Sequence, residues 1–328
     1  MSTEPGDILE TRMSEARYIS FPDKLSRLSL RQRLVRHLAS VVLLPSALGS
    51  AALRGTPGMR ARMGCIGLGM RALLHGDLAK ARQLIVDPMD SFRYFEFDFV
   101  ETAIVGIAPK RYLDVSSPRL VPIFMLGRFD RLVADIINPI GNDLAETRAL
   151  LVSLALTDRC RLNQELIETA DYADRSFDLI TSISVVEHIP DDTGAIATMW
   201  RLLRPGGRLV ITVPCAQRAA DEFASLDEYR LFDRQQDGFV FWQRYYDEAA
   251  LAKRIWSVTG PPSRVRIYGE TEVGNYDENV RRKRSDPGYP FWREPVMMAK
   301  EYREFRCIGD LVGMGVIGME FTKPNDGR

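Results

Sequence analysis

Between Lys24 and Gly76 the chain has no aspartate or glutamate. The same stretch holds nine positive charges (Lys24, Arg27, Arg31, Arg33, Arg36, Arg54, Arg60, Arg62 and Arg71), so the rest of this electrically neutral chain must sum to minus nine. The four cysteines, Cys65, Cys160, Cys215 and Cys307, stand far apart, with no Cys-x-x-Cys pair, and the three histidines are isolated. That spacing excludes a zinc cluster and a disulfide framework, and it fits a reducing, cytoplasmic setting. No apolar run reaches the roughly 20 residues that span a bilayer. The stretch "LASVVLLPSALGSA" resembles a secretory apolar region, but it begins near residue 38, too deep for an ordinary signal, and no export is expected. Internal repeats and low-complexity tracts are also missing.

What is present is enough chain, 328 residues, for one large α/β domain with an extension. Residues 1–22 are polar and mixed, and are expected to be loosely ordered. Residues 29–42 have helical periodicity. Leu30, Leu34, Val35, Leu38, Val41 and Val42 share one arc; Ser29, Arg33, Arg36, His37 and Ser40 share the other, with Arg31 the exception. A basic amphipathic helix of this kind either lies on an anionic membrane or packs its apolar arc on its own domain, the default for a surface helix. Glycines and a proline then punctuate 48–70, which reads as a loop-rich linker. From about residue 90 strands and helices alternate. Strands are expected at 111–115, 131–136, 177–184, 208–214, 264–270 and 315–323, and helices at 118–129, 143–157, 193–207 and 246–260. Alternation of this kind builds a mostly parallel sheet covered on both faces. The charged, aromatic and proline-containing segment 271–312 interrupts it as a long insertion.

In an open parallel sheet, ligands bind beyond the carboxyl ends of the strands. Asp114, Ser116 and Ser117 sit at the end of the first strand, and Asp135 lies 21 positions on from Asp114, in the second. An acid at about that distance is what hydrogen-bonds a nucleoside ribose. Yet the first turn reads "DVSSP", without the glycines that let a backbone approach a cofactor. Either the serines cap a helix beginning at Pro118 and the turn still receives a ligand, or the added side chains close the site.

The stretch 174–214, "DRSFDLITSISVVEHIPDDTGAIATMWRLLRPGGRLVITVP", resembles the second half of the class I S-adenosylmethionine-dependent methyltransferases. The matching parts are Ser176-Phe177-Asp178, Glu187-His188-Ile189 and "RLLRPGGRLVITVP"; "FWQRYYDEAALAKRI" further on is also similar to the small-molecule and glycan-modifying members. The resemblance implies a Rossmann-like, doubly wound, seven-stranded sheet with its last strand antiparallel. On that basis residues 1–85 are a basic helical extension and 86–325 the methyltransferase-like domain, including insertion 271–312. It implies S-adenosylmethionine as cofactor, with contacts from Asp114, Ser116, Ser117, Asp135, Leu166, Ile167 and Ser182. Leu166-Ile167 stand where relatives carry an acid next to adenine, and Glu165 or Asp171 are alternatives there. An oxygen or nitrogen acceptor needs a base, for which Glu187, His188 and Tyr246 are the candidates. The expected substrate is a hydroxyl or amine of a small molecule or glycan precursor; no metal and no nucleic acid are expected. Residues 24–54 are the expected contact with an anionic membrane. The missing glycines motivate an alternative, a non-catalytic scaffold of the same fold. A nicotinamide-dependent oxidoreductase is disfavoured by the lack of Gly-x-Gly-x-x-Gly.

Overall fold

The computed structural model describes residues 16–19, 29–90, 92–225, 227, 234, 238–286 and 289–325; within the first helix the side chains of residues 30, 32–37 and 41 are not described. The expectation for residues 1–22 therefore lies largely outside the described residues, as does the polar arc formed by Arg33, Arg36 and His37.

In chain order the elements are β1 (Ala16–Ile19), α1 (Leu30–Leu53), α2 (Met59–Leu74), α3 (Leu78–Val86), α4 (Arg93–Ala103), β2 (Arg111–Val115), α5 (Leu120–Arg128), β3 (Val133–Ile137), α6 (Gly141–Ser153), β4 (Cys160–Asn163), β5 (Phe177–Ile183) and α7 (Asp192–Leu202). There follow β6 (Leu203–Cys215), β7 (Ala220–Ala224), β8 (Val240–Tyr245), α8 (Glu248–Leu251), α9 (Ser257–Thr259), β9 (Arg264–Glu270), α10 (Asn275–Ser285), α11 (Glu294–Glu301), β10 (Tyr302–Phe305) and β11 (Gly315–Thr322).

The main sheet has the order β10-β9-β11-β6-β5-β2-β3-β4. Strands β2 to β6 pair in parallel, and β11 enters antiparallel between β6 and β9. Burial on both faces follows from the two-residue period of the strands. Tyr112, Leu179, Val210 and Val316 face a core shared with α2 to α6, while Leu113, Ile180, Ile211 and Ile317 face the core beneath α7 and α8.

Three expectations need correction. The expected loop-rich linker at 48–70 is mostly helix: α1 runs on through Pro45 to Leu53, and α2 begins at Met59. Gly55 and Gly58 do turn the chain between the two helices, at φ 71° and 68°, but Gly69 serves packing: a Cβ there would lie 2.5 Å from an Ile85 carbon and 3.0 Å from the Ala81 carbonyl, so only glycine lets α2 and α3 approach this closely. Insertion 271–312, read only as an interruption, has structure of its own: it forms α10, α11 and β10. Because β10 pairs with β9, it adds an eighth strand to the expected seven. The apolar arc of α1 is not buried throughout, for Leu38 and Val42 are exposed. A second, three-stranded sheet, β1-β7-β8, was not expected at all. The Pro-Gly-Gly turn behaves as its residues require, with Gly206 at φ 75° leading into the straight part of β6. Among the described residues no helix is long and apolar enough to cross a membrane.

Candidate active site

Beyond the carboxyl ends of β2, β3 and β5 lies a cleft in two connected parts, of about 360 Å³ and about 200 Å³. Both are bordered by Ser116, Asn138, Asp143, Ser184 and His188. The larger part is polar at its floor, where Ser116, Ser117, Arg119 and Asn138 line it; the smaller is walled by Leu166, Ile167, Val185 and Ile189. A third cavity of about 430 Å³ adjoins the first through Asp90, Arg93, Ser184 and His188. Its walls carry Phe92, Trp242, Tyr276 and Phe291 together with Arg93 and Lys283.

The unusual first turn keeps the conformation glycine would have given. Ser116 lies at φ 53°, in the left-handed region that side chains adopt only at a cost. Two bonds hold it there: its N–H donates to the Ile137 carbonyl at 2.9 Å, and its hydroxyl donates to the same oxygen at 3.1 Å. The serines do not cap α5, whose first helical residue is Leu120 rather than Pro118. Ser117 instead ties the turn to β5, its hydroxyl accepting from the Ile183 N–H at 3.1 Å while its own N–H donates to Asp114 at 3.1 Å. Asp114 is fully buried beneath the turn and accepts from the Tyr112 and Thr181 hydroxyls at 2.8 and 2.7 Å. Burial pushes its carboxyl up to about 6, against the pull of those hydrogen bonds.

Ser184, at the end of β5, is the second left-handed residue of the cleft, at φ 50°. It is pinned from below. Its N–H donates to the Thr212 carbonyl and hydroxyl, both at 3.0 Å, and its hydroxyl donates to Glu96 of α4. Glu96 is wholly buried and also accepts from Thr212 at 2.7 Å and from Arg93. Next along, Glu187 is buried, and desolvation pushes its carboxyl up to about 8, with the Glu96 charge adding to the shift and Arg93 opposing it. His188 stands where all three cavities meet. Its Nδ1 lies 2.5 Å from the Trp242 carbonyl, and its Nε2 lies 3.9 Å from Glu187. A carbonyl can only accept, so Nδ1 carries the proton and a neutral ring has its lone pair at Nε2.

Asp114, Ser116, Ser117, Leu166, Ile167, Glu187 and His188 thus gather at or just beneath the cleft. Asp135, Ser182 and Tyr246 do not border it. Asp135 lies inside β3, paired with Arg111 at 2.9 Å. The residue at the end of β3 that faces the cleft is Asn138, whose Oδ1 accepts from Ile140 N–H at 2.8 Å. Ser182 is buried within β5, opposite Ile211. Tyr246 is also buried and donates at 2.7 Å to Asp192, which Arg244 and Arg254 neutralise at 2.8 Å each. Sequence reasoning missed Asn138, Arg93 and Glu96. The only signal for Asn138 was its place after the last apolar residue of β3; Arg93 and Glu96 lie before the first strand of the main sheet, where no motif points.

The methyltransferase-domain family profile matches residues 128–211, from the end of α5 to β6. Those residues hold β3, β4, β5 and most of β6, while β2 and the turn at Ser116 precede them. Over those residues the chain carries a methyltransferase domain. It is 24% identical over 165 residues to the ubiquinone biosynthesis O-methyltransferase of Alkalilimnicola ehrlichii, covering 50% of this chain and 66% of that one. It is 32% identical over 118 residues to methyltransferase GfsG of Streptomyces halstedii, covering 36% and 42%. The chain thus spans just under two thirds, or less, of these relatives' own lengths. A solved structure of geranyl diphosphate C-methyltransferase from Streptomyces coelicolor is 9% identical, with a TM-score of 0.44, over 72% of this chain and 82% of its own.

The residues present fit the family's cofactor. The polar floor of the cleft matches the amino-acid and ribose portions of S-adenosylmethionine, and the apolar end at Leu166, Ile167 and Ile189 matches adenine. Two side chains depart from the expected chemistry: Asn138 would offer a ribose an amide in place of a carboxylate, and Leu166 would offer adenine an apolar contact in place of an acid. Among the described residues no group of His, Cys, Asp and Glu could hold a metal ion.

Proposed function

We propose that the chain transfers a methyl group to a hydroxyl or amine of a small molecule or glycan precursor, with a hydroxyl the better match. The observation that carries this reading is the position of His188, on the wall shared by the cofactor cleft and the aromatic cavity. S-adenosylmethionine, when bound, supplies an already activated methyl group. The chain's own part is to align the acceptor, exclude water and take its proton. The Trp242 carbonyl fixes the His188 tautomer so that Nε2 is the proton acceptor. Burial pushes the Glu187 carboxyl up to about 8, so at pH 7 it is neutral and no base, and it stands 3.9 Å from the His188 Nε2. Phe92, Tyr276 and Phe291 give a flat apolar ring system surfaces to pack against. The relatives named as O-methyltransferases support oxygen as the acceptor atom.

Against the non-catalytic alternative stands the conformation of Ser116, which takes at φ 53° the left-handed form that the missing glycines put in question. Purified chain incubated with S-adenosylmethionine and a panel of phenols, polyols and amines is expected to release S-adenosylhomocysteine with a phenolic or polyol acceptor. His188→Ala is expected to lower kcat by about 100-fold or more. Turnover unaffected by that change would remove the base assignment, and no turnover with any hydroxyl or amine would contradict the reading.

A further inference from the structure

We propose that the outward face of α1 docks on an anionic lipid bilayer. This inference does not depend on the methyl-transfer reading. Residues 38–53 contain no charged side chain. The helix buries Leu44, Ala47 and Ala51 against the body of the protein, yet Leu38, Val42 and Leu53 are 67%, 71% and 91% exposed. A surface helix ordinarily turns polar residues outward; here the outward face is apolar as well. Removing these side chains from water on a membrane is favourable, since each hides apolar surface.

Charge selects the occupant. Arg31 stands exposed at the start of α1, Arg54 follows its end, and no acid occurs from Lys24 to Gly76. Of the nine cations in that stretch, Arg62 is buried and donates to the Ile85 carbonyl at 2.6 Å, so it is not counted toward the surface. The groove between α1 and the insertion, of about 560 Å³, continues the apolar face with Leu43, Ala47, Tyr289, Trp292, Val296 and Met297. Exposed Arg293 and Lys300 stand at its rim; Asp286 and Glu301 border it too, and Arg282 is paired with Glu278 at 2.6 Å. Apolar side chains flanked by arginine, with tryptophan and tyrosine beside them, match the layered chemistry of an anionic interface. A second copy of the chain fits less well, because a twofold contact through this face would bring two acid-free basic segments together.

The test is sedimentation of the full chain with phosphatidylcholine vesicles, with and without phosphatidylglycerol. The expected result is binding only to the anionic vesicles, weakening as salt rises. In the triple variant Leu38→Ser, Val42→Ser, Leu53→Ser, bound protein is expected to fall by about tenfold or more. These positions are exposed, so the variant is expected to keep its melting temperature, which confirms that loss of binding is not loss of fold. No sedimentation of the wild type, or equal sedimentation of wild type and variant, would overturn the proposal. A concentration-dependent dimer that the triple variant dissolves would overturn it in favour of a second copy.

Discussion

Glu187 and Ser116 hold conformations or charge states that cost free energy, and both lie on the cleft. Glu187 keeps its proton in the folded chain up to about pH 8, whereas an exposed glutamic acid loses it near 4.5. The folded state therefore binds more protons than the unfolded state between those values, and stability contributed below pH 4.5 is lost as pH rises through about 8. Glu187→Gln escapes this loss. Its thermal stability is expected to gain on the wild type by roughly 2–4 kcal/mol between pH 5 and pH 8.5, with a plateau beyond. A difference that stays flat with pH would show that Glu187 is ionised in the folded protein. At Ser116 a β-branched residue cannot tolerate φ 53°, so Ser116→Val is expected to destabilise by about 1–3 kcal/mol in chemical denaturation, with Ser116→Gly within about 1 kcal/mol of wild type. Equal stability of the valine and glycine variants would remove the left-handed turn from the account.

Among the elements, those with a strong apolar-strand signal were legible in the sequence: β5, β9 and β11 appear within a few residues of expectation, whereas β6 begins at Leu203 and takes in residues 203–207, expected as the end of a helix. Where glycine was read as a breaker, the reading holds at Gly55 and Gly58, both left-handed in the link between α1 and α2, and fails at Gly64 and Gly69, which lie inside α2 and serve helix packing. Local sequence cannot distinguish these uses, since the contact that requires glycine is made by a different helix. Gly69→Ala should resolve it. Helix propensity alone would stabilise by up to about 1 kcal/mol, but the clash with Ile85 and the Ala81 carbonyl is expected to win, for a net loss of about 1–2 kcal/mol. A net gain would show that α2 and α3 pack less closely than described. The insertion was legible as an interruption but not as structure. Lys283 ties α10 to Asp90 and Glu294 at 3.0 and 3.2 Å, pairings that no local pattern announces.

At the scale of the whole molecule, the site is assembled from parts separated by about half the chain. Helix α4 supplies Arg93 and Glu96, the parallel strands supply the turn at Ser116 and the loop at His188, and β8 and α10 close the aromatic cavity. Motif spacing found the middle group because its residues follow one another along adjacent strands. It misassigned Asp135 because the expected strand ended at 136, one residue before β3 ends, and it could not reach α4 or α10, which meet the sheet only in three dimensions. The central claim is that the "DVSSP" turn and Asn138 form a working cofactor cleft. The most direct measurement is calorimetric titration of S-adenosylhomocysteine into the wild type, Asn138→Ala and Asp135→Ala. The account expects a Kd of about 1–100 μM for the wild type, a weakening of about fivefold to tenfold in Asn138→Ala, and little change in Asp135→Ala. No heat of binding to the wild type, or a loss confined to Asp135→Ala, would contradict it.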